Sequence, residues 1–154
     1  MNKIAFIFLI SFIVLINVHS QPVKSPDEFL GYELGTQFTF HHRAAEYFRY
    51  IAEKSGSAEY IEYGTSYEGR PLGVCVVSEE DNLSKFEEYR INNLIRSGLT
   101  EGDVTGGQLP IIWLAYNVHG NESAGMEAAM KTLYTLVTRS FPGSGDWLKS
   151  CIII

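Results

Sequence analysis

The run Leu109-Pro110-Ile111-Ile112-Trp113-Leu114-Ala115-Tyr116-Asn117-Val118 constrains the fold more than any other stretch of the 154 residues. It is almost uninterruptedly apolar, as a strand covered on both faces must be. It opens directly into His119-Gly120-Asn121-Glu122. A helical pattern follows over residues 123–138, with Met126, Met130, Leu133, Leu136 and Val137 available for the core. A buried strand, a short polar loop and an amphipathic helix in that order belong to an open α/β sheet. Such sheets place their ligands beyond the carboxyl ends of their strands.

The rest of the chain supports that class. Residues 21–35 contain Pro22, Pro26, Gly31 and Gly35 and read as an irregular entry segment. A helix is predicted from Thr36, because Phe40, Ala44, Tyr47, Phe48 and Ile51 recur at three- and four-residue steps, with Gly56 as a stop. Strands are predicted over residues 58–63 and 72–77, joined through Gly64-Thr65-Ser66-Tyr67-Glu68-Gly69-Arg70-Pro71. Asp81 reads as the N-cap of a second helix running to about Arg96, with Phe86, Ile91, Leu94 and Ile95 on its buried side. Residues 100–107 form a Gly-rich acidic loop, and the long apolar run supplies a strand over residues 111–115. Residues 146–150 can make a short helical turn before the last run, Cys151-Ile152-Ile153-Ile154. Helices alternating with apolar strands predict a mixed, partly parallel sheet flanked by helices.

The ends of the chain carry information of another kind. Lys3 precedes the uncharged, apolar residues 4–16, and Val18-His19-Ser20 offers a cleavage site before Gln21, the pattern of a secretory signal peptide over residues 1–20. The apolar run falls short of the ~20 residues a spanning helix needs, so no stable membrane anchor is expected after cleavage. About 134 residues then remain, enough for one domain with a real core, expected over residues 36–154. The formal charge of −6 comes without a Lys/Arg cluster, which argues against nucleic acid and anionic membrane as partners. Cys75 and Cys151 both lie in apolar runs and read as buried free thiols, although a disulfide is open to an exported protein. The final isoleucines resemble a buried strand interrupted part-way, so the domain is expected to be truncated at residue 154.

In the His119 loop, Gly120 leaves the backbone free enough for His119 and Glu122 to turn toward one point. Imidazole plus carboxylate suits zinc, but a catalytic zinc normally takes three protein ligands and a water. Two ligands are visible. The same spacing also suits a strand-end histidine bonded to its loop, with Glu122 as a first-turn residue favoured by the helix dipole. Spacing alone leaves both readings standing. Ser123 is expected to cap the helix that follows.

Three markers in order go further. Gly64-Thr65-Ser66-Tyr67-Glu68-Gly69-Arg70-Pro71-Leu72 is similar to the Gly-x-Ser-x-Glu-Gly-Arg-Pro connection between two strands of the zinc carboxypeptidases, the family that includes the pancreatic enzymes. The apolar strand entering His119-Gly120-Asn121-Glu122 resembles that family's His-x-x-Glu motif. Residues 146–154 look like the segment and strand that precede its Asn-Pro-Asp/Asn-Gly loop.

The resemblance implies one zinc ion with His119 and Glu122 as ligands, and peptide or protein substrates shortened from their C-termini; the leader pattern puts the protein outside the cytoplasm, in secreted or periplasmic form. Digestive members often carry an arginine before the ligand Glu, where it touches substrate. Asn121 stands there, so a different substrate contact is expected of it.

The family's third ligand, a histidine, and its general-base glutamate are expected beyond residue 154, as are its carboxylate-binding arginines. No histidine follows His119. His41 and His42, adjacent on a helix, point two ways and read as helix-surface residues. Glu127 reads as a solvated residue of the third helix. The isolated chain is expected to be inactive and aggregation-prone through an exposed strand edge. Two other readings share these residues. One is an amidohydrolase like succinylglutamate desuccinylase and aspartoacylase, which also use His-Gly-x-Glu. The other is a non-catalytic carboxypeptidase-like binding module.

Overall fold

The computed structural model describes residues 23–154. The leader over residues 1–20 and the cut before Gln21 lie outside the described residues. The entry segment is not wholly irregular. Pro26–Leu30 forms a short helix, α1, closed at its start by a reciprocal pair of bonds: Glu28 N–H donates to Ser25 Oγ at 3.3 Å and Ser25 N–H to Glu28 Oε2 at 2.8 Å. With Pro26 at the first position, Ser25-Pro26-Asp27-Glu28 is a capping box legible in the sequence.

Helix α2, His41–Lys54, starts later than its periodicity suggests. Phe40 takes the extended N-cap conformation and is 62% exposed, so it lies outside the core. Ala44, Tyr47 and Ile51 do carry the buried stripe. The physical reason for the late start is Thr39, which is buried and tied elsewhere by its hydroxyl, so the chain before it cannot wind.

Strands β1, Ala58–Thr65, and β2, Pro71–Val77, form an antiparallel hairpin with a register shift between Glu62 and Gly64. Its turn is closed by Ser66 N–H to Arg70 O at 2.7 Å, with Gly69 at φ 74°. The single helix expected from Asp81 to Arg96 is two helices, α3 over Glu80–Leu83 and α4 over Phe86–Arg96. The N-cap of α3 is Glu79, not Asp81. The chain breaks at Ser84 and Lys85, where the Ser84 hydroxyl bonds back to the Asp81 carbonyl. The inward face of α4 also differs: Tyr89 and Asn92 are buried, while Ile91 is 40% exposed. Asn92 faces inward because it pins the Gly-rich loop, with Nδ2 donating to the Thr105 and Gly107 carbonyls and Oδ1 accepting from Thr105 N–H.

Strand β3 is only Ile111–Ile112; helix α5, Ser123–Thr138, matches its pattern, and helix α6, Ser144–Ser150, leads into β4, Ile152–Ile153. The sheet order is β1-β2-β4-β3, with β4 antiparallel to β2 and parallel to β3. This is the mixed, partly parallel α/β sheet that the pattern predicts. On one face α2 and α5 bury Tyr47, Ile51, Met130, Leu133, Leu136, Leu148 and Ile153 together. On the other, Val76 and Ile152 pack with Tyr89 of α4.

The short β3 has a structural cause. Its ladder to β4 runs Ile152 N–H to Pro110 O, Ile154 N–H to Ile112 O and Leu114 N–H to Ile154 O, and then has no further partner strand among the described residues. Beyond it Trp113, Leu114 and Tyr116 face an open cleft of about 410 Å³ shared with Val74 and Cys75 of β2. Trp113 is 65% exposed there, so this part of the sheet is uncovered among the described residues.

Candidate metal centre

The apolar run stops being extended at Asn117, which takes φ 55°, and the chain turns toward α5. Residues 118–122 then make the loop. Its backbone is held by Glu122 N–H to His119 O at 3.0 Å and Gly125 N–H to Glu122 O at 3.1 Å. The N-cap position of α5 belongs to Glu122; Ser123 is the first helical residue and provides no side-chain cap. The Glu122 carboxylate is engaged elsewhere. His119 Nδ1 and Glu122 Oε1 lie 2.9 Å apart, in a hydrogen bond whose side chains are 71% and 59% exposed.

That contact is compatible with both functions left open by the spacing. A histidine bonded to its own loop would look like this, and so would two metal ligands whose donor atoms converge on one point. Two features bear on the fit to zinc. The donors are one imidazole nitrogen and one carboxylate oxygen, a chemically apt pair for Zn²⁺, and both are open to solvent. The pair is also incomplete: among the described residues no group of three or more His, Cys, Asp or Glu could hold a metal ion. His119 and Glu122 therefore fit two positions of a zinc site and leave the others to groups outside this set.

Asn121 is exposed between the two. His41 and His42 are exposed at the start of α2, His42 stacking on Phe40 at 5.9 Å, and the surface role expected of them holds.

Glu127 departs from expectation. It is 9% exposed rather than solvated, and its carboxylate accepts from Gly35 N–H at 2.6 Å and from Thr39 Oγ1 at 2.7 Å. It ties the entry segment to α5. Glu127 lies one turn before the buried Met130, so helical spacing does set it beside the apolar stripe; its charge alone makes it read as solvated.

Cys75 and Cys151 are free thiols. Burial pushes the Cys75 thiol up to about 12 and raises that of Cys151 as well, so neither is a ready thiolate ligand or nucleophile.

Sequence reading also overlooked the two residues that shape the loop. Asn117 is a left-handed residue with a side chain, and Gly125 sits where a Cβ would lie 2.9 Å from Asn117 N. The available signal was modest: an Asn before the loop, and a Gly in the first turn of a helix where Gly is otherwise unfavourable.

Comparison with known proteins adds one match. The family model described as zinc carboxypeptidase matches residues 45–154, from α2 through β4 and across the His119 loop. No curated protein matches the chain. Among the described residues no helix is long and apolar enough to cross a membrane.

Proposed function

This chain belongs to the zinc carboxypeptidase family, and from that membership we propose that it is the ligand-bearing part of a secreted zinc metallocarboxypeptidase that removes C-terminal residues from peptides or proteins. The observation that carries the reading is the zinc carboxypeptidase match over residues 45–154, which spans His119 and Glu122; their donor atoms, Nδ1 and Oε1, lie 2.9 Å apart at the head of α5. A zinc ion there supplies Lewis acidity toward a water and a scissile carbonyl. His119 would offer an imidazole nitrogen and Glu122 a carboxylate oxygen, both from a loop anchored on a helix. Their exposure leaves the approach open to a substrate chain. Asn121, between them, offers an amide that can hydrogen-bond the peptide upstream of the cleaved bond. The third ligand, the base that takes the water's proton and the cationic groups that bind the terminal carboxylate are, in this reading, groups other than the described residues. The leader-like residues 1–20 support export, and the acidic charge without a basic patch supports a peptide rather than nucleic acid as partner.

The test is to assay the protein encoded by the complete source transcript on peptides with a free or an amidated C-terminus, and on N-acyl amino acids. Release of C-terminal residues only from free-carboxylate peptides, abolished by chelation and by His119→Ala or Glu122→Gln, is expected. Turnover of N-acyl amino acids instead assigns an amidohydrolase. No turnover, with zinc bound, assigns a binding module.

A further inference from the structure

His119 and Glu122 are more than half exposed, so burial does not fix their mutual geometry. Whatever fixes it acts through the backbone on either side. Two positions there are unusual. Asn117 has φ 55°, a left-handed conformation uncommon for a residue with a Cβ, and its buried Oδ1 has no hydrogen-bond partner among the described residues. Gly125, in the first turn of α5, lies so close that a Cβ on it would sit 2.9 Å from Asn117 N and 3.1 Å from Asn117 Cα. Those are main-chain atoms and cannot swing aside. The end of the apolar run and the first turn of the helix are thus in direct contact, and the loop of residues 118–122, carrying both candidate ligands, is closed at its base. Strain and an unpaired polar atom at one spot persist only where the surroundings over-determine them, and such spots gather at functional sites.

We propose that the contact between Asn117 and Gly125 is a positioning device that holds His119 and Glu122 on one point; the role of that pair as metal ligands rests on the zinc reading above. The left-handed turn at Asn117 redirects the chain from the line of β3 onto the helix. The absence of a side chain at Gly125 lets α5 begin against that turn. The bonds Glu122 N–H to His119 O and Gly125 N–H to Glu122 O then fix the two steps between them. A displacement at the base of so short a loop moves one donor relative to the other. Neither Asn117 nor Gly125 touches the ion; both act through the pair.

Nitrogen-15 NMR of the protein encoded by the complete source transcript reads this directly. Without metal, the His119 Nδ1 shift reports its hydrogen bond to Glu122. With Zn²⁺ added, the same signal reports the affinity of the pair. Gly125→Ala is expected to lose the metal-free signature and to weaken Zn²⁺ binding about tenfold or more, the range seen when groups that orient a ligand are lost. Amide-exchange protection in the β1–β2 hairpin should be unchanged, which separates mispositioning from unfolding. Asn117→Gly keeps the left-handed turn and should stay within about threefold of the parent. Asn117→Val, whose β-branched side chain resists that turn, should behave like Gly125→Ala. Retention of both the Nδ1 signature and the Zn²⁺ affinity in Gly125→Ala overturns the proposal. If that variant does not fold, the Asn117 pair decides, and identical behaviour of the Gly and Val variants overturns it. A parent signal that ignores Zn²⁺ defeats the zinc reading instead, while the metal-free signature still decides the positioning role.

Discussion

Replacing Glu127 should unfasten the entry segment from the domain without touching the candidate metal pair. Its carboxylate accepts two bonds, from Gly35 N–H and Thr39 Oγ1, in a site where Thr39 is 2% and Glu127 9% exposed. A hydrogen bond to a charged group is worth about 1.5–3 kcal/mol, so losing both in Glu127→Ala is worth about 3–5 kcal/mol after a few tenths are regained from the helix propensity of Ala. That is a large share of the roughly 5–15 kcal/mol stability of an ordinary domain. Glu127→Gln keeps one good acceptor and should cost about half as much. Proton bookkeeping adds a detail. Thr39 has a single hydroxyl proton and spends it on the carboxylate, so Tyr32 Oη must donate to Thr39 Oγ1 across their 2.8 Å contact. Urea unfolding followed by circular dichroism measures each variant. A double-mutant cycle with Thr39→Ala isolates the pair, for which a coupling of about 1–2 kcal/mol is expected. A loss below about 1 kcal/mol in Glu127→Ala, or additive behaviour in the cycle, would refute the assignment of Glu127 as a structural anchor.

Three further outcomes follow from the same coordinates. Met130 is fully buried between α2 and the sheet, so Met130→Ala should lower unfolding stability by about 2–5 kcal/mol in the same assay. The buried Ser78 hydroxyl meets the Leu148 and Cys151 carbonyls and accepts from Asn82 Nδ2, so Ser78→Ala should cost about 1–3 kcal/mol and raise amide exchange at β4 first. The Cys75 thiol, pushed from its ordinary 9.0 up to about 12 by burial, should resist a maleimide at pH 8 in the folded chain and react in urea. Between those two values the folded thiol keeps a proton that the unfolded one has lost, so the contribution of Cys75 to stability is complete below pH 9 and falls as pH rises toward 12. Rapid labelling at pH 8 without unfolding would contradict it.

The elements that could be read from the residues are those whose signal is local and repeated. Helix α5 carries five apolar positions at helical spacing, and it begins and ends where that pattern does. The β1–β2 hairpin is flanked by turn residues with a physical reason to be there, Gly69 above all. The errors came where a tertiary partner outvoted the local pattern. Thr39 is held by a carboxylate from a helix about ninety residues away, so the helix that Phe40 seemed to begin starts after it. Asn92 is turned inward by the loop it binds, which rotates α4 and pushes Ile91 to the surface. A hydrophobic pattern has no term for a polar residue buried to satisfy someone else's backbone.

The candidate site divides along the same line. His119 and Glu122 could be picked out because chemistry restricts which residues bind a metal, and their spacing is local. That their donor atoms converge could not, since His-x-x-Glu is satisfied equally by side chains that diverge. Convergence depends on the path of the chain, and the path is set by a left-handed Asn and a Gly with main-chain atoms against it, neither of which has chemistry of its own. The residues that make such a pair competent are therefore the ones least visible to a search for chemistry. They appear in a structure as strain and close approach. Where an exposed pair of ligand types sits on a short strand-to-helix loop, the decisive question is what holds the base of that loop, and here the answer is a missing Cβ at residue 125.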